Sequence, residues 1–260
     1  MKKLFVLIAA ACMTCTAAFA QTVKPFKEGE RAVFLGNSIT DGGHYHSYIW
    51  LYYMTRFPDM PIRVFNGGIG GDTAYDMNKR LDGDIFAMKP SVLMVTFGMN
   101  DSGYFEYNGD KPKEFGEQKY QESIKNYQQM EKRFKDLPDT RIVMVGTSPY
   151  DETGQLKENT PFKTKNETIK RLVEYQKESA AKNNWEFTDL NAPMTAINQQ
   201  YQQKDPTFTL CGSDRIHPDN DGHMVMAYLF LKAQGFVGKE VADMEINANK
   251  KQAVKSENCT

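Results

Sequence analysis

Arg31-Ala-Val-Phe-Leu-Gly-Asn-Ser-Ile-Thr-Asp41 is an apolar run that breaks at a glycine turn and delivers a single serine. Its centre, Ala32–Leu35, is continuously apolar, as a strand covered on both faces must be. Four later runs share that character: Ile62–Asn66, Val92–Phe97, Arg141–Thr147 and Trp185–Thr188, each short and bounded by Gly, Pro, Asn or Asp. Helical patterns fall at Tyr48–Arg56, Thr73–Leu81, Gln118–Lys135, Asn166–Asn183 and Asp221–Ala233. This alternation predicts an α/β three-layer sandwich with a central five-stranded parallel sheet flanked by helices. Ligands of such sheets bind at the carboxyl ends of the strands, and Ser38, Gly71, Asn100 and Asp189 all fall there. The polar stretch Asp101–Glu117 leaves the same edge, either walling a pocket or lying as a solvated loop.

The chain has 260 residues, 40% of them hydrophobic, and a formal net charge of -1. That suits one globular domain with a sizeable core. There is no basic stripe of the kind a phosphate backbone requires, so nucleic acid is not an expected partner. Residues 1–20 are set apart by Lys2-Lys3, the apolar stretch Leu4–Ala11 and small residues ending Ala18-Phe-Ala20. These features predict a signal peptide cleaved after Ala20, and hence an exported protein, periplasmic or extracellular. Ala9-Ala-Ala-Cys12 is a weak match to a lipid-attachment site, so a lipid-anchored form is the less favoured reading. No later segment approaches the roughly 20 apolar residues of a membrane helix.

The expected organisation is therefore a signal peptide at 1–20, a domain at 21–237 and a polar tail at 238–260. Export leaves Cys211 and Cys259 in an oxidising compartment, where they either form a bridge or remain two unpaired thiols.

Three other blocks accompany Ser38: Gly67-Gly-Ile-Gly-Gly71, Gly98-Met-Asn100 and Asp214-Arg-Ile-His217. A serine hydroxyl becomes a good nucleophile only when a base takes its proton, and the base needs a partner that fixes its tautomer. Asp214 and His217, three residues apart, offer that pair. Attack on an acyl carbon creates an oxyanion, which preorganised N–H donors must meet. The backbone of Ser38 and Gly71 and the side-chain amide of Asn100 offer such donors.

With its four blocks in this order, the chain resembles the SGNH hydrolases of the GDSL esterase superfamily over about Arg31–Gly235. Gly68-Ile-Gly-Gly-Asp-Thr73, Arg80-Leu81 and Lys89-Pro90 are similar to the platelet-activating-factor acetylhydrolase-like branch, whose members remove short acyl groups. The resemblance implies a flavodoxin-like fold and a serine esterase without cofactor or metal. Ser38 would be its nucleophile, Asp214 and His217 the rest of the triad, and Ser38, Gly71 and Asn100 the oxyanion hole. One departure is Asn37, where the family usually has aspartate. Asp72, Asp101 and Asp189 are expected to orient loops, and His223 to be a surface or capping residue.

Export and the short-acyl resemblance together favour an O-acetyl or similar small ester on a carbohydrate, with Tyr45, Tyr104, Phe105 and Tyr107 as candidate substrate contacts. Those aromatics would equally line an acyl groove, which keeps a lysophospholipase or general carboxylesterase as the alternative. A glycan-binding module without turnover is the non-enzyme alternative, disfavoured by the presence of all three triad residue types. His44-Tyr-His46 offers two imidazoles for an ion but no assured third ligand. The glycine run fails as a dinucleotide fingerprint at Thr73, and no P-loop lysine follows it.

Overall fold

A computed structural model describes residues 22–157, 159–239 and 242–257. The expected signal peptide and Cys259 lie outside the described residues. The strands are β1 (Arg31–Gly36), β2 (Arg63–Gly68), β3 (Val92–Val95), β4 (Arg141–Gly146) and β5 (Glu186–Asp189). They form one parallel sheet in the order β2-β1-β3-β4-β5. The helices are α1 (Ser38–Asp41), α2 (His44–Arg56), α3 (Ala74–Arg80), α4 (Pro112–Lys135), α5 (Lys165–Asn183), α6 (Asn191–Gln202) and α7 (Asn220–Ala233).

Successive residues of β1, β3 and β4 feed two separate cores, because side chains alternate across a strand. Ala32, Phe34, Val92, Met94, Val143 and Val145 pack with Ile49 and Tyr53 of α2, Met194 of α6 and Phe230 of α7. Val33, Leu35, Leu93, Val95, Ile142 and Met144 pack with Met77 of α3 and Tyr127 and Phe134 of α4. Both faces are thus covered, which is why the strands read as unbroken apolar runs. The chain leaves β1 toward β2 and then crosses β1 to reach β3, so the sheet's topological switch point lies beside the carboxyl end of β1.

Several elements differ from the sequence-based expectation, among them α2, which starts at His44 and not at Tyr48. Helix α4 starts at Pro112, six positions before the expected Gln118. Proline is favoured in a first turn, and Gly116 sits where a Cβ would stand 2.6 Å from Thr168 Oγ1, so the apparent breaker is a close-packing site between α4 and α5. The rest of the Asp101–Glu117 stretch holds a 3-10 turn at Phe105–Asn108. Helix α6 was not expected, and Asp189 caps it by accepting from Asn191 N (2.7 Å) and Ala192 N (3.3 Å). In the tail, β6 (Asp243–Asn247) and β7 (Gln252–Glu257) pair as an antiparallel two-stranded sheet.

The chain before β1 runs along the amino-terminal edge of the sheet. Lys24 N donates to Glu186 at the start of β5, and Arg141 at the start of β4 bridges Glu30 (3.1 Å) and Glu186 (3.0 Å). Thr22 N and Val23 N both donate to Ala233 O at the end of α7.

Candidate active site

Ser38 opens α1 directly after β1. Asn37 caps that helix, its Oδ1 accepting from Ile39 N at 3.1 Å, so asparagine supplies the turn-fixing acceptor where the family usually has aspartate. The turn is braced from β2: a Cβ on Gly68 would stand 2.2 Å from Asp41 N and 2.7 Å from the Thr40 carbonyl carbon. Only glycine lets the two backbones approach this closely.

The structure brings the three expected triad residues together. The Ser38 hydroxyl lies 2.7 Å from His217 Nε2, and His217 Nδ1 lies 2.6 Å from Asp214 Oδ2. With Nδ1 donating to Asp214, Nε2 is left to accept the serine proton. Asp214 Oδ1 also accepts from Ile216 N and His217 N, both at 2.9 Å. Burial works against the Asp214 carboxylate, but these hydrogen bonds outweigh it and hold its pKa below the ordinary range. Asp214 therefore stays ionised while it orients the imidazole.

The second and third blocks close on this centre. A Cβ on Gly70 would lie 4.0 Å from Ser38 Cβ, and Asn100 Nδ2 donates to Asp72 O at 2.9 Å. Gly71, at φ 85°, turns between them, and among the described residues its N–H has no acceptor. Asp72 is ion-paired with Arg80 (2.6 Å), which also donates to Gly36 O and Gly67 O and so ties the ends of β1 and β2 together. Asp101 accepts from Ala74 N (2.8 Å) and Gly98 N (2.9 Å), anchoring α3 and the turn after β3.

Of the four aromatic candidates, two are misplaced for contact with a substrate. Tyr45 and Tyr107 are each 2% exposed. Tyr45 bonds Thr40 Oγ1 (3.0 Å), and Tyr107 bonds the Ser102 carbonyl (2.8 Å) and the Thr168 hydroxyl (2.9 Å). A tyrosine whose hydroxyl finds a buried partner is a core residue, so neither presents a ring face to a sugar. Phe105, by contrast, is 79% exposed and meets Phe162 edge-on at 5.5 Å. Tyr104 is part-buried, with its hydroxyl donating to Asn100 Oδ1.

His223 corrects another expectation, being buried rather than at the surface. Its ring lies 4.9 Å from that of His44, while His46 bonds Thr40 O through Nε2 (3.2 Å). Among the described residues no three His, Cys, Asp or Glu side chains are grouped to hold a metal ion. Burial, with the neighbouring His44, His46 and His217, pushes the His223 pKa down to about 4. An unfolded histidine takes its proton near pH 6.5, so between about 6.5 and 4 the unfolded chain binds more protons than the native one. Stability is then lost as pH falls through that window, by about 3 kcal/mol from this residue. Melting curves across the window should fall less steeply for His223→Gln than for the wild type, and parallel curves would dismiss the contribution.

Two residues that support the site were not visible in the sequence. Arg215, between Asp214 and His217, is 1% exposed and donates to Asp151 O, Gly154 O and Asn159 O. Lys165 is fully buried and holds the segment after Asn100, donating to Met99 O (2.7 Å), Ser102 Oγ (2.6 Å) and Gly103 O (2.5 Å). The Cys211 thiol is buried and donates to Pro149 O at 3.1 Å. No helix among the described residues is long and apolar enough to cross a membrane.

The chain matches the GDSL-like lipase/acylhydrolase family over residues 34–225. It is 28% identical to an acetylxylan esterase from Geobacillus stearothermophilus over 224 residues, 80% of this chain and 95% of that protein. The crystal structure of Axe2, an acetylxylan esterase from the same organism, aligns with a TM-score of 0.62 at 25% identity, over 82% of this chain and 96% of the other. Catalytic mutants of it replace a serine, an aspartate or a histidine with alanine. A gut microbial diltiazem-metabolizing enzyme is 85% identical with a TM-score of 0.88 over 92% of this chain, which spans 54% of that protein's length.

Proposed function

The chain belongs to the GDSL-like lipase/acylhydrolase family and is a carboxylic ester hydrolase, and from that premise we propose that it is an exported esterase removing O-acetyl groups from carbohydrate through Ser38, His217 and Asp214. The observation that carries the catalytic assignment is the unbroken hydrogen-bond chain from Ser38 through His217 to Asp214 at the carboxyl edge of the sheet. Ser38 Oγ attacks the ester carbonyl as His217 Nε2 takes its proton. The carbonyl oxygen, now negative, is met by the N–H groups of Ser38, Gly71 and Asn100. His217 then returns the proton to the departing alcohol, leaving an acyl-serine. Water deprotonated by the same nitrogen attacks the acyl carbon, releasing the acid and restoring Ser38.

The acetylated-carbohydrate reading is supported by the Geobacillus acetylxylan esterase, which this chain matches over nearly that protein's whole length. Phe105, next to Tyr104 in the chain, also carries an exposed ring, a face on which a sugar can stack. A large apolar groove of about 700 Å³ lies between α2 and α7, among Tyr52, Phe57, Met224, Tyr228 and Phe236, and is lined by neither Ser38 nor His217. Where the apolar volume lies apart from the nucleophile, a short acyl group is the better fit. A small-molecule acetate ester is a second reading, favoured by the 85% identical diltiazem-metabolizing enzyme.

Acid release from acetylated xylo-oligosaccharides, from diltiazem, which bears an acetate ester, and from a long-chain lysophospholipid separates these readings. The proposal expects kcat/KM highest for the oligosaccharides. Preference for diltiazem would move the substrate to small-molecule acetates, and preference for the lysolipid would defeat both.

A further inference from the structure

Asn100 is gripped at both ends of its amide. One N–H of Nδ2 goes to Asp72 O (2.9 Å), and Oδ1 accepts the Tyr104 hydroxyl proton. A carboxamide has two N–H donors and one oxygen, so these bonds fix its plane and leave one N–H to point elsewhere.

The hydroxyl that accomplishes this is itself held. The Tyr104 ring lies over the Lys165 side chain, with Nζ 3.9 Å from the ring centroid. Lys165 sends three hydrogen bonds into the segment from Met99 to Gly103. Burial, with the charges of Asp101 and Asp214 adding to it, raises the Tyr104 pKa, so its hydroxyl keeps its proton and donates. On the far side, Asp72 is fixed by Arg80. A hydrogen bond accepted at an amide oxygen also polarises the amide, strengthening its remaining N–H as a donor.

We propose that Tyr104 is a positioning residue, whose hydroxyl sets the orientation and donor strength of the Asn100 amide toward the developing oxyanion. This rests on the reading of Asn100 as an oxyanion donor, and it gives Tyr104 a role other than stacking on a sugar. The interaction counts chiefly in the transition state, so its loss lowers kcat and leaves KM nearly unchanged.

Tyr104→Phe removes the hydroxyl and keeps the ring over Lys165. With p-nitrophenyl acetate as substrate, Asn100→Ala is expected to lower kcat about a hundredfold. Tyr104→Phe is expected to lower it about tenfold with KM within about twofold, and to change kcat by less than about twofold once Asn100 is already alanine. An unchanged kcat in Tyr104→Phe overturns the proposal, as does a full tenfold loss that persists without Asn100, which would place the hydroxyl's action elsewhere. In either case the oxyanion role of Asn100 would stand. If Asn100→Ala alone left kcat intact, the oxyanion reading would fall and the positioning role with it.

Discussion

Ser38→Ala is expected to abolish release of p-nitrophenol from its acetate ester, lowering kcat by about four orders of magnitude or more, while the thermal midpoint stays near the wild-type value. The first expectation follows from chemistry: without Oγ there is no acyl intermediate, and what persists over uncatalysed hydrolysis is the residual effect of the donors and of binding. The second follows from structure. Ser38 is only part-buried, and its side chain's hydrogen bond is to a half-exposed histidine. Adding His217→Ala to the same protein should cost almost nothing further, because the two groups act as a unit. Turnover retained by a folded Ser38→Ala protein would remove Ser38 from the mechanism.

Arg215→Met is the substitution expected to cost most in stability while touching the site indirectly. Four hydrogen bonds run from its guanidinium to the carbonyls of Asp151, Gly154 and Asn159. Methionine occupies part of the volume and satisfies none of the acceptors. At about 1–3 kcal/mol for each buried group left unpaired, a loss of about 4 kcal/mol or more is expected, read from denaturant unfolding. The loop it supports holds Asp214 and His217, and it has little slack: a Cβ on Gly212, at φ 68°, would stand 2.2 Å from His217 O. The folded fraction of the variant should therefore also lose at least about tenfold in kcat. A cost under about 1 kcal/mol with unchanged turnover would show that the loop stands without Arg215.

The sheet and the turn that carries Ser38 were legible in the sequence because burial on both faces writes the same message at every strand position from Ala32 to Leu35 and from Val92 to Val95. The grouping of Ser38, His217 and Asp214 was legible because the proposed triad is defined by chemical role, and few residue types fill those roles. The support around it was not. An arginine between Asp214 and His217 reads as solvated surface, since charged side chains are almost never fully buried unless their donors are all satisfied, and here the acceptors come from backbone distant in sequence. Tyr45 and Tyr107 failed for a related reason. A tyrosine partitions to core or surface according to whether its hydroxyl finds a partner, and Thr40, Ser102 and Thr168 become partners only once the chain has folded. Helix α6 was hidden by its cap, because Asp189 belongs to the end of β5 and Asn191-Ala-Pro193 reads as a turn.

The stretch before β1 and the end of α7 meet in the hydrogen bonds from Thr22 and Val23 to Ala233, along the edge of the sheet opposite the one that carries Ser38 and Asn100. A tether joined ahead of Thr22 would therefore leave from the edge of the sheet away from Ser38 and Asn100, so attachment to a bead at that point is expected to leave turnover of p-nitrophenyl acetate unchanged.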